Sequence, residues 1–206
     1  MLKKNLRILL YSSNIWYLGE GMFAPIFGLF TQKIGGNILD ISGIWATYLI
    51  ATGIFTIIVG RLSDRNISKA KLMIAGYALN AFFTFCYIFV SSQLSLFVVQ
   101  IGLGIASALA TPTWDALYAQ YEERKNAGQS WGMANGQSKV MTGLAVILGG
   151  VIVNRLSFDT LFITMGIIQV IATLYSVQLL KRQKYEAKIP SKKRLPRRAR
   201  LKASNG

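Results

Sequence analysis

Histidine is absent from this chain, cysteine occurs once, and only eight residues in 206 are acids. The missing imidazoles remove the commonest general base near neutral pH and the commonest metal ligand. Glu20, Asp40, Asp64, Asp115, Glu122, Glu123, Asp159 and Glu186 are scattered along the chain, so no metal cluster or acid-base pair is visible. No metal, cofactor or catalytic residue is therefore expected, and a membrane-embedded enzyme ranks last among the readings. Cys86 has no second cysteine to pair with, which excludes an internal disulfide and leaves it as a small apolar filler. Charge is scarce too. Only 15% of residues are charged against 52% hydrophobic, with a mean hydropathy of +0.41, a balance foreign to a soluble domain of this size. Lipid is the solvent this composition suits.

A spanning helix needs roughly 20 mostly apolar residues. Apolar runs of that order read as spans at Leu6 to Phe30, Ile44 to Gly60, Leu72 to Val90, Leu94 to Tyr118, Met133 to Val153 and Leu161 to Leu180. Short polar segments separate them, so an all-α membrane protein of six transmembrane helices is expected over residues 1–180, followed by a tail over 181–206. The first run carries Ser12, Ser13, Asn14 and Glu20 and no small-residue cleavage site follows it, so it reads as a retained span and not a signal peptide.

Cations near span ends are held on the cytoplasmic side. Counted over alternate loops, 21 of the 23 Lys and Arg fall on one side and only Lys33 and Arg155 on the other. Both termini are then cytoplasmic and the number of spans is even. The net charge of +15 is a topological signal, and no nucleic-acid partner is expected. Eleven of the cations lie in the tail with Glu186 as its lone acid. Such a tail is expected to be disordered and to meet anionic lipid headgroups, each Lys or Arg near the surface contributing about 1 kcal/mol.

The loop after the second span runs Gly60, Arg61, Leu62, Ser63, Asp64, Arg65, Asn66, Ile67, Ser68, Lys69, Ala70, Lys71, Leu72. It resembles the signature loop of the major facilitator superfamily, GxLxDRxGRRxxL, at Gly60, Leu62, Asp64, Arg65, Lys69 and Leu72, with Ile67 and Ser68 where that family usually has Gly and Arg. In physical terms, Gly60 removes a side chain so that a helix end can approach a neighbour. Asp64 places a carboxylate among cations, where it is either a solvated turn acid or a cap for a neighbouring helix N-terminus.

The resemblance implies an MFS-like half: six helices in two inverted three-helix repeats, covering the chain up to the tail, where full-length members have twelve. Family members often carry Arg four residues before a Gly in the fourth helix; here Gln100 precedes Gly104, which weakens the case for proton-driven exchange. Asp115 falls where the family often has an acid that pairs with the signature loop, and reads either as an interfacial acid in water or as a partner of Arg65 or Lys69. Pro112, just before it, is expected to break or kink the fourth span. The fifth span, with Gly143, Gly149 and Gly150, resembles the glycine-rich fifth helix of drug exporters, but Ala145 and Val146 stand at its Gly-Pro positions. Those glycines, like Gly102 and Gly104 in the fourth span, read as sites of close helix packing.

Glu20 carries the strongest chemical expectation. An ionisable group mid-span costs several kcal/mol unless it faces a cavity or a partner. It could exchange a proton, attract a cationic substrate, or be neutralised by bonds to Asn14, Tyr17 or a neighbouring helix. Trp16, Tyr17, Trp45, Tyr48, Trp114, Tyr118 and Trp131 read as interfacial belts before cavity walls.

Secondary transport of a small or drug-like solute by alternating access follows from the resemblance, with a homodimer or a second six-helix chain completing the cavity. In the homodimer, Asp64 of one copy would meet the start of the other's fifth span near Trp131 to Asn135. A non-transporting membrane adaptor or a truncated fragment is the alternative.

Overall fold

The computed structural model describes residues 2–64, 67–122 and 126–188. Over these residues the chain is helical: α1 (Leu2–Gly21), α2 (Phe27–Lys33), α3 (Ile38–Ser63), α4 (Lys69–Cys86), α5 (Gln93–Tyr121), α6 (Ala127–Arg155) and α7 (Phe158–Lys188), with single 3-10 turns at Ala24–Ile26 and Tyr87–Phe89. Five of the helical stretches are long and apolar enough to cross a membrane: Ile38–Ser63, Lys69–Phe89, Gln93–Tyr121, Ala127–Arg155 and Phe158–Tyr185.

The first expected span is not one helix. It breaks between α1 and α2 at Ala24–Ile26, where Pro25 supplies no N–H to continue the helix and its ring would clash with the carbonyl four residues back in an unbroken one. Pro112, in contrast, does not break α5, which runs on to Tyr121. Thr113 Oγ1 donates to the carbonyls of Leu109 and Ala110, occupying backbone acceptors next to the donor that proline lacks. The last helix passes the expected end at Leu180 and continues to Lys188, so the first eight residues assigned to the tail are helical. The rest of the tail lies outside the described residues.

Three links gather at one end of the bundle. Gly35, at φ +84, makes the turn between α2 and α3, and Asn37 then caps α3, accepting from Leu39 and Asp40 N–H while its own N–H donates to Asp40. Gln93 Nε2 at the head of α5 donates to Gly35 O at 2.8 Å. The Lys33 ammonium lies 5.2 Å from the Phe158 ring at the head of α7. Beneath these links Phe23, Phe27, Phe30, Tyr87, Phe158 and Phe162 form an aromatic cluster, with Phe23 edge-to-face on Phe162 at 5.2 Å and on Tyr87 at 4.9 Å, and Tyr87 stacked on Phe162. At the opposite end Tyr118 donates to Ser130 O across the α5–α6 connection.

Side by side, α3 packs on α5, α5 on α4, α4 on α7, α7 on α1 and α1 on α6. The four inner helices hold the core, and α3 and α6 flank it with wide exposed apolar faces, including Ile57 at 62% and Ile147 at 65% exposure.

Candidate functional site

Breaking the first span has a local consequence. Glu20 is the last residue but one of α1, and the chain beyond it turns away, leaving a cavity of about 200 Å³ lined by Glu20, Trp45, Tyr48, Thr84, Tyr87 and Gln100, with Phe23, Ala24, Leu103 and Met165 completing the walls. The wall residues come from α1, α3, α4, α5 and α7 and the two 3-10 turns. Among the described residues its lining holds no Lys or Arg.

The half-buried Glu20 carboxylate accepts from Asn80 Nδ2 on α4, through Oε2, at 3.1 Å. Thr84 Oγ1, one turn along α4, donates to Asn80 Oδ1 at 3.4 Å. The two bonds point the same way: Thr84 engages the amide oxygen, which turns the amide nitrogen toward the acid. Asn80 and Thr84 are each 1% exposed and Gln100 is 2% exposed. Buried amides and hydroxyls of this kind persist where they have partners.

Of the partners expected for Glu20, a neighbouring helix supplies the bond seen. Asn14 instead donates to Gln137 on α6 at 3.0 Å. Trp45 and Tyr48, read from sequence as belt residues, are cavity walls, their rings 5.6 Å apart. Trp16, Tyr17, Trp114 and Asp115 line a second, water-sized cavity of about 30 Å³ with Tyr77 and Ser13. Asn80 was missed in the sequence although the signal was present, a lone amide in the middle of the third apolar run.

The signature-loop residues do not converge on this cavity. Asp64 is the exposed C-cap of α3, and a side chain at Gly60 would meet nothing within 4 Å, so close approach does not explain Gly60 inside this chain. Arg65 lies outside the described residues. Lys69 begins α4, and among the described residues no ion pair joins it to Asp64 or Asp115.

The glycines divide by environment. A Cβ on Gly104 would lie 2.9 Å from Tyr48 O, one on Gly102 would run into the Phe83 ring, and one on Gly149 would meet the Met22 carbonyl. Gly143 and Gly150 face open space, so close packing does not apply to them within this chain. Helix α6 starts at Ala127, earlier than expected. Its free N–H groups therefore belong to residues 127–130, and not to Trp131 to Asn135.

The chain is similar to several transporters. Over 180 residues it is 28% identical to an uncharacterized MFS-type transporter of Methanocaldococcus jannaschii, covering 87% of this chain and 46% of that protein. It is 22% identical over 188 residues to the multidrug resistance protein MdtG of Klebsiella pneumoniae, covering 45% of it. An uncharacterized MFS-type transporter of Bacillus subtilis, YitZ, is 19% identical over 158 residues and is covered to 96% of its length. The fold matches the crystal structure of the POT family transporter PepTSo with a TM-score of 0.73 at 10% identity, over 87% of this chain and 38% of that one. The chain thus spans about half the length of the first two of these relatives. The Major Facilitator Superfamily model matches residues 9–204, and the chain belongs to that superfamily of membrane transporters.

Proposed function

We propose that this chain is one half of a secondary transporter that moves a small or drug-like solute by alternating access, with the Glu20 cavity as its share of the substrate site. The observation that carries the reading is a carboxylate held by Asn80 at a cavity whose largely apolar and aromatic wall includes the polar side chains of Thr84 and Gln100. An intramembrane acid facing a cavity is a functional group by default, because nothing in packing alone repays its burial. Similarity to proteins named for multidrug resistance supports a drug-like solute.

In this reading α1 and α2 together form the first of six spans, α3 to α7 supply the other five, and the six form two inverted three-helix repeats. The packing order supports the repeats: exchanging the first three spans for the last three maps α3 on α5 to α6 on α1, and α4 on α5 to α7 on α1. The distribution of Lys and Arg supports a cell-membrane protein with both termini in the cytoplasm and anionic lipids at the basic tail. A second half, a second copy of the chain or a different one, covers the exposed faces of α3 and α6 and closes the cavity. That requirement is supported by the half-length match and by the breadth of those apolar faces.

Everted vesicles from cells producing the chain, offered a panel of labelled cationic, neutral and anionic solutes, test the proposal. At least one solute should accumulate above vector controls, and Glu20→Gln should cut its initial rate with membrane abundance unchanged. Intact transport in Glu20→Gln would make the acid structural. No accumulation of any solute, with a monomer in mild detergent, would favour the adaptor.

A further inference from the structure

The chemistry of the cavity selects a class of solute, an inference that rests on the cavity being a substrate site. Among the described residues Glu20 is its only acid and no basic residue lines it. Tyr48 and Tyr87 are the other titratable groups there, facing the acid from α3 and from the turn after α4; α5 contributes Gln100 and Leu103 and α7 contributes Met165, none of them charged. Among the described residues the acid therefore has no counter-charge from the elements that line the cavity. Its polar neighbours are arranged to donate: Thr84 holds Asn80 so that the amide N–H meets Oε2. Among the described residues Oε1 has no hydrogen-bond partner, which leaves one carboxylate oxygen for a ligand.

The remaining wall is aromatic. Trp45, Tyr48, Tyr87 and Phe23 line the same cavity as the acid, and aromatic faces attract cations through the ring quadrupole, Trp most strongly. A lone carboxylate beside four rings, with no cation of the protein's own, is the arrangement that recognises quaternary and alkylated ammonium groups. It opposes anions, which would meet Glu20 unshielded, and a neutral solute of the same shape would leave the carboxylate without a counter-charge. At about 200 Å³, the cavity has room for a small cationic head group.

We propose that the Glu20 cavity binds the head group of a small monovalent organic cation, with Glu20 as counter-charge and Trp45, Tyr48, Tyr87 and Phe23 as its aromatic cage.

Three probes of nearly one shape separate the classes: choline, its neutral carbon isostere 3,3-dimethyl-1-butanol, and the anion 3,3-dimethylbutyrate. Binding to the purified full chain in mild detergent is read by tryptophan fluorescence and by titration calorimetry. Choline should bind at least about tenfold tighter than the neutral isostere, the anion should not bind, and Trp45→Leu should weaken choline severalfold. Glu20→Gln should abolish the preference for choline over the alcohol. Glu20→Asp, which keeps the charge, should retain it in part, showing that the loss in Gln is not misfolding. Equal binding of choline and the alcohol, a preference for the anion, no choline binding, or a preference that survives Glu20→Gln would each overturn the cation assignment. The transport reading fails separately: it falls only if no solute of any class accumulates in vesicles.

Discussion

Substituting Gly149 by alanine should destabilise the chain, and the same change at Gly143 or Gly150 on the same helix should not. Gly149 lies where α6 crosses the end of α1. A methyl there would stand 2.8 Å from the Met22 carbonyl carbon and 2.9 Å from its Cα, and closer still to its oxygen. All three are backbone atoms, so no rotamer change relieves the contact. The crossing is tight from the other side as well: a Cβ on Gly21 would lie 2.9 Å from Ala145 Cβ. Forcing atoms into such a contact costs about 1–3 kcal/mol, against a helix-propensity gain of about 0.8–1.0 kcal/mol for replacing glycine. The net is a loss of up to about 2 kcal/mol, toward the upper end because the contacts are with backbone that cannot rotate away. At Gly143 and Gly150 nothing lies within 4 Å, so the propensity gain stands unopposed. Thermal unfolding in mild detergent, read by near-UV circular dichroism, should order the variants with Gly149→Ala below wild type and Gly143→Ala and Gly150→Ala at or above it. Because Met22 is two residues from Glu20, Gly149→Ala should also slow solute flux. If Gly149→Ala unfolds together with Gly150→Ala, the α1–α6 crossing is not the close contact described and the account of the broken first span fails with it.

Topology is checked by single cysteines in a Cys86→Ala background: those at Asn66, Asn126 and Ser204 should react only from the cytoplasm, and those at Gly36 and Ser92 only from outside. External labelling at Asn66 would overturn the arrangement of spans. If the second half is another copy of the chain, Asp64 of one copy should meet the free N–H groups at the start of α6 of the other, a contact contributing about 0.3–2 kcal/mol. Cysteines at Asp64 and Gly128, both exposed, should then crosslink between chains in membranes. Crosslinks confined to one chain, or none at any linker length, would leave a different six-helix partner as the second half.

What could be read without coordinates was what depends on composition and period. Long apolar runs separated by charged turns locate α3 to α7, because backbone groups in lipid must be satisfied internally and a helix does this for any apolar sequence. Helix ends were read less well. The turns before α6 and after α7 contain polar residues that sequence reasoning assigned to loops, yet helices extend through them to Ala127 and Lys188, since a helix projecting from the bilayer needs no apolar side chains to keep its hydrogen bonds. The first span was misread for a related reason. A proline in an apolar run tells only that one bond is missing, and whether the helix absorbs this depends on its neighbours: at Pro112 Thr113 caps the nearby carbonyls, while at Pro25 the chain gives way and α6 closes on Met22 through Gly149. The site shows the same division. Glu20 announced itself by its cost in lipid, but its bond to Asn80 joins residues 60 positions apart, and no local pattern encodes which faces of α1 and α4 will meet. Trp45 and Tyr48 were ambiguous from sequence because a ring with one polar edge suits an interface and a wet cavity equally; only the packing of α3 on α5 showed that both line the cavity that holds Glu20, Trp45 still 39% exposed at its rim. The break at Ala24–Ile26 therefore joins fold to site: α1 ends one residue beyond Glu20, and the turn that follows contributes Ala24 to the wall of the cavity that Glu20 lines.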